Sequence, residues 1–249
     1  MIQNYKITIA YDGSRYHGFE AKPDVDTIQG RIENVLSRMT DTRVMTVGAG
    51  RTDAGVHARA MVISCKLDTE MSEDDIMDYM NTYLPEDIGV IDVKVAGERF
   101  HARFSAVGKV YLYTCYVGKE KPVFDRKYVW CLDKVPDVKL MRRAAEHLVG
   151  EHDFKSFCGN KNFKKSTVKK IFDIDIMRKN DYLYLRFHGK GFLQNMVRIL
   201  TGTLLEVGYG NISPDAMEDI LKAGARTAAG PTAPAKEVGG QAVLGRQTD

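Results

Sequence analysis

Short segments rich in β-forming residues occur along the whole chain and predict β-strands, and in 5–11 and 109–117 hydrophobic and polar positions alternate. In the first half of the chain the predicted strands are 5–11, 43–47, 60–67 and 90–96. In the second half they are 109–117, 127–132, 168–179 and 181–189. The last two strands flank Asn180-Asp181, a dipeptide typical of tight turns, so we expect them to form a hairpin.

Five other segments carry apolar residues at the three- and four-residue spacing of an amphipathic helix. The predicted helices are 26–39, 72–84, 136–150, 192–208 and 213–224. Residues that favour helix ends support these bounds. Asp26 or Thr27 is suited to cap the first helix, Ser72 caps the second, and Gly224 ends the last.

The order of these elements indicates two similar halves, each with a small antiparallel sheet and flanking helices. We therefore predict an α+β fold built from two pseudo-symmetric halves of the ferredoxin-like or RRM-like kind. The expected halves are residues 1–105 and residues 106–249, with the functional cleft between them. No internal sequence repeat and no low-complexity linker marks the boundary.

The composition is that of an ordinary globular protein, with 44% hydrophobic and 28% charged residues. The net charge of +3 is unevenly spread, because residues 1–104 hold 12 basic and 17 acidic residues, whereas 105–249 hold 24 and 16. Segment 155–170 has six lysines and no acidic residue, with Phe157 and Phe163 among the lysines. This combination suits a nucleic-acid backbone, and a solvated lysine loop is the alternative interpretation.

Cysteine usage and hydropathy bear on where the protein works. Cys65, Cys115, Cys131 and Cys158 are widely separated and form no CxxC pair, which predicts neither a zinc site nor a disulfide framework. The sequence has no run of about 18 apolar residues and no apolar signal-peptide core near Met1. We expect a cytoplasmic protein with no membrane partner.

The segment GAGRTDAGVH (48–57) is rich in glycine but differs from the glycine-rich motifs that bind phosphates. A P-loop requires Lys-Ser/Thr after its second glycine, and a dinucleotide fingerprint requires a helix at this point, where a strand is predicted. Asp53 and His57 alone make a poor metal site, so we predict no metal. From this loop alone, Asp53 is either the cap of a turn or a reactive carboxylate.

The block GRTDAGVHA (50–58) resembles the signature of the tRNA pseudouridine synthase A family, and the resemblance extends over residues 5 to 235. Six further regions resemble family blocks in the family's order: YDGSRYHGF with TIQGRIE, LPEDIGV, FHARFSA, GEHDFKSF, GFLQNMVR and GTLLEVGYG. The resemblance implies isomerisation of uridine to pseudouridine in the anticodon stem-loop of tRNA. It also implies a homodimer and a reaction that uses no cofactor.

Two regions depart from the family pattern. Glu20 and Lys22 stand where the family usually has glutamines, so RNA contacts expected from that loop are altered. The C-terminal segment from Ala233 to Asp249 lacks the Gly-Leu-hydrophobic strand and the final aromatic residue that close the family's sheet. We expect this closing strand to be frayed or the floor of the pocket to be changed.

The resemblance assigns the catalytic roles to three residues. Asp53 is the carboxylate that acts on the ribose, either as a nucleophile at C1′ or as a base that removes the 2′ proton. Arg198 is its charge partner, although a surface arginine at the end of an apolar helix is the alternative. Tyr111 stacks on the uracil and accepts its C5 proton, and Tyr113 shares the same strand face.

The remaining candidate residues bind the substrate. Leu193, or its neighbour Phe192, forms an apolar wall of the pocket, and Arg51 contacts RNA or holds the flipped nucleotide. Further candidates for RNA contacts are Arg15, Arg99, Arg103, His17, His101 and the lysines of 155–170, including Lys164 and Lys165. A non-catalytic RNA-binding protein, or a paralogue with shifted RNA specificity, is the competing hypothesis.

Overall fold

The computed structural model describes residues 1–235 and 237–244, with side chains described for 1–235. The chain divides into two compact units: one comprises Met1–Val107 and, of the described residues, 239–244, and the other is Gly108–Val238. Each unit combines an antiparallel sheet with helices, which confirms the predicted α+β class.

The first unit is a sheet with two helices on one face. Its strands are β1 (Ile2–Tyr11), β2 (Thr46–Gly48), β3 (His57–Asp68) and β4 (Ile88–Ala96), and its helices are α1 (Ile28–Thr40) and α2 (Glu73–Tyr83). The strand order is β4-β1-β3, with β2 paired to β3, and all pairs are antiparallel.

Alternation along β1 and β3 determines which face of this sheet is buried. Since side chains alternate between the two faces, one face collects large apolar residues from both strands. This face packs against α1 and α2 in a core that includes Tyr5, Ile7, Ile9, Tyr11, Met61, Ile63, Leu67, Ile28, Ile32, Leu36, Ile76 and Met80. The helices begin where the sequence predicts, because Thr27 caps α1 and Ser72 forms a capping box with Asp75 on α2.

The second unit has the strand order β5-β9-β8-β7, and all of these pairs are antiparallel. The strands are β5 (Ala106–Tyr116), β6 (Trp130–Cys131), β7 (Gly150–Asp153), β8 (Val168–Lys179) and β9 (Tyr182–Gly189). The helices are α3 (Val138–Glu146), α4 (Met196–Gly208) and α5 (Met217–Ala223). The β8–β9 hairpin turns at Asn180-Asp181 as predicted, with Asn180 at a positive φ of 54°.

One face of this second sheet packs against the helices, and α4 is the most deeply buried of them. The core includes Tyr111, Tyr113, Cys115, Leu183, Leu185, Phe187, Met141, Ile199, Leu200, Leu204, Val207, Met217 and Ile220. No helix in the described part of the chain is long and apolar enough to cross a membrane.

Several element bounds differ from the prediction. The helix predicted over 136–150 ends at Glu146, and Gly150, at φ 113°, opens the unpredicted strand β7. The helix predicted over 192–208 begins only at Met196, because Asn195 is left-handed with φ 57°. The strand predicted over 127–132 is reduced to β6.

The C-terminal segment forms a strand, β10 (Glu237–Leu244), despite its departure from the family pattern. The expectation of a frayed closing strand is therefore wrong for these residues. Fraying was also expected for Lys236 and residues 245–249, which lie outside the described residues.

Gly202, which lies inside α4, tests whether close packing outweighs helix propensity. Alanine normally stabilises a helix interior relative to glycine by about 1 kcal/mol. At Gly202, however, a Cβ atom would lie 1.9 Å from the carbonyl oxygen of Pro231. We therefore expect Gly202→Ala to lower the free energy of unfolding in urea by about 1–3 kcal/mol.

The matched control is Gly89→Ala in β4, where an added Cβ meets nothing within 4 Å. Its free energy of unfolding should change by less than about 0.5 kcal/mol. A Gly202→Ala protein as stable as the wild type would contradict the close packing of α4.

Candidate active site

Asp53 lies on the loop between β2 and β3, and its side chain is half-buried. The backbone N–H of Val56 donates to the carbonyl of Asp53 at 3.2 Å, so a tight turn begins at the aspartate. Gly55, the third residue of this turn, has φ 79°, a conformation that favours glycine. The loop therefore ends in a fixed turn that leads directly into β3.

The residue before Asp53 is held by the segment 11–19. The N–H of Phe19 donates to the carbonyl of Thr52 at 3.1 Å, and the hydroxyls of Tyr11 and Thr52 form a buried hydrogen bond of 2.8 Å. Burial raises the pKa of the Tyr11 phenol, so its hydroxyl remains protonated and keeps this bond. Thr52 is thus fixed through both its backbone and its side chain.

The same segment packs closely on the other end of the loop. A Cβ atom on Gly13 would lie 2.0 Å from the carbonyl oxygen of Val56, and the N–H of Gly13 donates to Nδ1 of His57 at 3.1 Å. Because both ends of the Asp53 loop rest on segment 11–19, the blocks YDGSRYHGF and GRTDAGVHA form one structural unit.

Gly48 also has a local role. A Cβ atom there would lie 2.5 Å from the ring of Phe19 and 2.8 Å from the carbonyl oxygen of Gly50. Gly48 therefore lets the chain pack against its own aromatic residue.

Arg51, two residues before Asp53, forms an ion pair with Glu20. Both side chains are partly exposed, at 56% and 42%. The backbone beside Glu20 is fixed, because Ala21 donates its N–H to Oε1 of Gln29 at 3.0 Å. Glu20, noted in the sequence only as a departure from the family, is thus the electrostatic partner of the predicted substrate-binding arginine.

Arg15 is engaged in a different ion pair. Its guanidinium contacts Asp87 at 2.7 Å, and the hydroxyl of Tyr16 donates to the same carboxylate at 2.6 Å. Burial and this bond to Asp87 raise the pKa of Tyr16 to about 12. Arg15 and Asp87 therefore link the blocks YDGSRYHGF and LPEDIGV.

In the second unit, Tyr111 and Phe192 pack edge to face with ring centroids 5.1 Å apart. Tyr111 lies on β5 with only 9% of its surface exposed, and Leu193, buried in the same core, donates its N–H to Sδ of Met196 at 3.4 Å. The structure places Phe192, the alternative to Leu193, against the tyrosine ring itself.

The two candidate tyrosines of β5 have different surroundings. Tyr113 is fully buried, donates its hydroxyl to the carbonyl of Pro234 at 2.7 Å and packs edge to face against Trp130. This donated hydrogen bond gives Tyr113 a structural role in holding the segment that precedes β10.

Arg198 is half-buried in the first turns of α4. Its Nε donates to the carbonyl of Ala233 at 2.7 Å and its Nη1 donates to Oδ1 of Asn195 at 2.9 Å. Ala233 in turn donates its N–H to the carbonyl of Arg198 at 3.1 Å. This guanidinium is held in place by hydrogen bonds, which distinguishes it from a surface arginine that extends into water.

The other predicted RNA contacts lie on the surface of their units. His101 and Arg103 belong to the segment before β5, where His101 is half-buried and Arg103 is exposed. Lys164 and Lys165 are exposed on the loop before β8 and form no ion pair with any residue that the structure describes. In the same part of the chain no cluster of three His, Cys, Asp or Glu residues is arranged to hold a metal ion.

The Tyr11–Thr52 hydrogen bond offers a stability test of the loop. We expect Thr52→Val to lower the free energy of unfolding by about 1–3 kcal/mol, because the buried Tyr11 hydroxyl loses its hydrogen bond to the Thr52 hydroxyl. The double variant Tyr11→Phe with Thr52→Val removes both polar partners. It should cost less than the sum of the two single variants in a urea titration. Strict additivity would show that this bond does not hold the loop.

Comparison with known proteins agrees with the resemblance seen in the sequence. A family model described as tRNA pseudouridine synthase matches residues 7–105 and 144–239. tRNA pseudouridine synthase A 2 of Bacillus cereus is 41% identical over 222 residues, which cover 89% of this chain and 91% of that protein. tRNA pseudouridine synthase A of Bacillus subtilis is 42% identical over 231 residues, covering 92% and 94%.

Solved structures resemble the chain more weakly. A crystal structure of a Cbf5-Nop10-Gar1 complex matches with 12% identity and a TM-score of 0.35, over 80% of this chain and 54% of that one. The chain thus spans about half of that protein, and a TM-score of this size carries no weight for function. The family model, in contrast, matches well over half of the chain, and the Bacillus relatives cover 89% and 92% of it. From these matches it follows that the chain belongs to the tRNA pseudouridine synthase family of isomerases.

Proposed function

We propose that this chain converts uridine to pseudouridine in the anticodon stem-loop of tRNA without a cofactor. In this reaction the bond between C1′ of ribose and N1 of uracil breaks, the base turns, and C5 bonds to C1′. C5 loses a proton and N1 gains one, so no oxidant, reductant or group donor is consumed. The observation that supports this function best is the position of Asp53 on a loop anchored at both ends.

Asp53 is the group that we assign to the ribose. Its carboxylate either attacks C1′, giving a covalent sugar–enzyme intermediate, or removes the 2′ proton, giving a glycal. Either route requires an oxygen held within about 0.5 Å of its productive position, roughly 3 Å from the reacting atom. The hydrogen bonds at Thr52 and Val56 provide such rigidity on both sides of Asp53.

We assign Arg198 the role of charge partner to Asp53. A cation near a partly desolvated carboxylate favours its ionised form, which is the reactive one. The bonds from Nε and Nη1 to Ala233 and Asn195 orient the guanidinium before substrate binds.

Tyr111 is assigned to the uracil ring. Its own ring packs edge to face on Phe192, so its orientation is set by the core of the second unit. A tyrosine held in this way offers a stacking face to the detached base, and its oxygen is a suitable acceptor for the C5 proton. Leu193 and Phe192 supply the apolar wall beside it.

The target uridine must leave its base stack before a carboxylate can reach the ribose, which costs a few kcal/mol. We propose that phosphate contacts offset this cost, made by Arg51, Arg15, Arg103, His101, Lys164 and Lys165. Two observations support RNA as the partner: the Bacillus relatives are named tRNA pseudouridine synthases, and the second half of the chain has an excess of basic residues. A homodimer that shares one tRNA is part of the same proposal.

Tritium release tests the chemistry directly. The protein is given tRNA labelled with tritium at C5 of uridine, in the presence of a chelator, and release of label is followed. We expect Asp53→Asn to abolish release while tRNA affinity stays within about threefold, because the amide can neither attack C1′ nor accept the 2′ proton.

The matched control is Asp41→Asn, an exposed aspartate at the end of α1 in a left-handed conformation that asparagine tolerates. This variant should release label at the wild-type rate. Normal turnover by Asp53→Asn at saturating tRNA would remove Asp53 from the mechanism. A wild-type protein that binds tRNA but releases no label would instead establish the non-catalytic RNA-binding alternative.

The Glu20–Arg51 ion pair predicts an effect on substrate affinity. An exposed ion pair contributes only about 0–1 kcal/mol, so an RNA phosphate can replace Glu20 as the partner of Arg51. Because Glu20→Gln removes the competing carboxylate, we expect this variant to bind tRNA up to about fivefold more tightly at low salt.

Two controls isolate this effect in filter-binding titrations. Glu70→Gln removes an exposed negative charge elsewhere in the first unit and should change affinity less. In a background of Arg51→Gln, the benefit of Glu20→Gln should disappear. Weaker binding by Glu20→Gln would mean that Glu20 positions Arg51 for RNA and does not compete with it.

A further inference from the structure

Phe104 is the most exposed phenylalanine of the first unit, with 81% of its surface in contact with water. A large aromatic residue in this position loses the benefit of burial, so its exposure calls for an explanation. It lies in the block FHARFSA, between the predicted RNA contact Arg103 and β5.

The backbone that carries Phe104 is firmly attached to the sheet. The side-chain amide of Asn4 donates to the carbonyls of Gly97 and Phe100, each at 2.9 Å. Further along, the N–H of Ala102 donates to Oγ of the buried Ser64 at 3.1 Å. These bonds fix the segment at two points on β1 and β3.

A compact turn then sets the direction of the Phe104 ring. The N–H groups of Phe104 and Ser105 both donate to the carbonyl of His101, at 3.0 and 2.8 Å. The N–H of His101 donates to Oγ of Ser105 at 3.2 Å. The exposed ring therefore stands on an ordered turn.

The imidazole of His101 stacks on this ring, with centroids 4.3 Å apart and an interplanar angle of 24°. One face of Phe104 is therefore covered by a flat polar ring, and the high exposure of the residue leaves the opposite face to solvent. Two stacked rings with an open outer face match the way in which proteins receive an unpaired nucleobase.

The charges around the ring favour an anionic partner. Arg99 and Arg103 are exposed, and neither forms an ion pair with a residue in the described ranges. Glu98 is the acidic residue of the same segment. The two arginines are therefore available for phosphates on either side of a stacked base.

We propose that Phe104, backed by His101, is a stacking platform for an unpaired base of the RNA substrate, with Arg99 and Arg103 on the adjoining phosphates. This inference rests on the proposed function for its ligand class. Stacking on an aromatic ring accepts any base, so the platform supplies affinity and register without reading sequence.

The base on this platform is a different nucleotide from the one that reacts. The segment is anchored at Ser64, which pairs with Lys6, whereas the Asp53 loop is anchored at Tyr11. Lys6 and Tyr11 are five residues apart on β1, roughly 16 Å along an extended strand. Because these anchor points lie this far apart, we assign to the platform a nucleotide other than the reacting uridine.

Binding of an unmodified tRNA transcript by three Phe104 variants tests the platform. We expect Phe104→Ala and Phe104→Leu to weaken tRNA binding about 5- to 150-fold, since both lack a π-face, and Phe104→Tyr to bind within about twofold of wild type. At subsaturating tRNA, tritium release by Phe104→Ala and Phe104→Leu should fall by the same factor as the affinity, and Phe104→Tyr should keep the wild-type rate.

The matched control is Phe124→Ala, which removes a phenylalanine that is 93% exposed. It should leave tRNA affinity unchanged, and an equal loss from this control would overturn the assignment. Wild-type binding by Phe104→Leu would also overturn it, because an apolar contact without stacking would then suffice. A change in oligomeric state by light scattering in Phe104→Ala would place the ring in an interface between copies of the chain.

These outcomes are separate from the fate of the proposed function. If the wild-type protein binds tRNA but releases no tritium, the catalytic proposal fails, and the aromatic dependence of binding still decides whether the platform exists. If tritium is released normally and Phe104→Ala binds like wild type, the platform fails alone.

Discussion

The arrangement around Asp53 depends on one buried contact, the hydrogen bond between the hydroxyls of Tyr11 and Thr52. Tyr11 is the last residue of β1, so its ring is already fixed by the sheet core. Through Thr52, this rigid strand positions the loop, and Gly13 packing on Val56 fixes the other end. A carboxylate on a glycine-rich loop thereby gains the precision of a strand, which catalytic positioning requires.

The period of the hydrophobic pattern was sufficient to predict most of the fold. Burial alternates residue by residue along most of β1 and along β9, as in a sheet with one buried face, and such a pattern is readable from a single sequence. The start of α4 was wrong because it depends on the left-handed backbone of Asn195, which hydrophobicity does not encode. β10 was missed for a related reason, since it lacks the alternation that marks the other strands.

The candidate site was less accessible to sequence reasoning. The blocks that resemble the family indicated Asp53, Tyr111 and Arg198, but no spacing rule connects Glu20 to Arg51 across thirty-one positions. Likewise, periodicity gives Tyr111 and Tyr113 the same face, and only the bond from Tyr113 to Pro234 separates them. Whether a candidate side chain already has a hydrogen-bond or ion-pair partner depends on contacts between residues far apart in the sequence. Local sequence patterns do not encode such contacts.

The hydrogen bonds between Arg198 and Ala233 limit which substitutions residues 231–234 can accept. The oxygens that meet Gly202, Arg198 and Tyr113 belong to the main chain at Pro231, Ala233 and Pro234. Side chains in this stretch can therefore drift while the support of the guanidinium persists. Proline is already accommodated at 231 and 234, yet it is barred from 233, whose N–H is used. Natural variants of this stretch should accordingly preserve its path and that one amide, and little else.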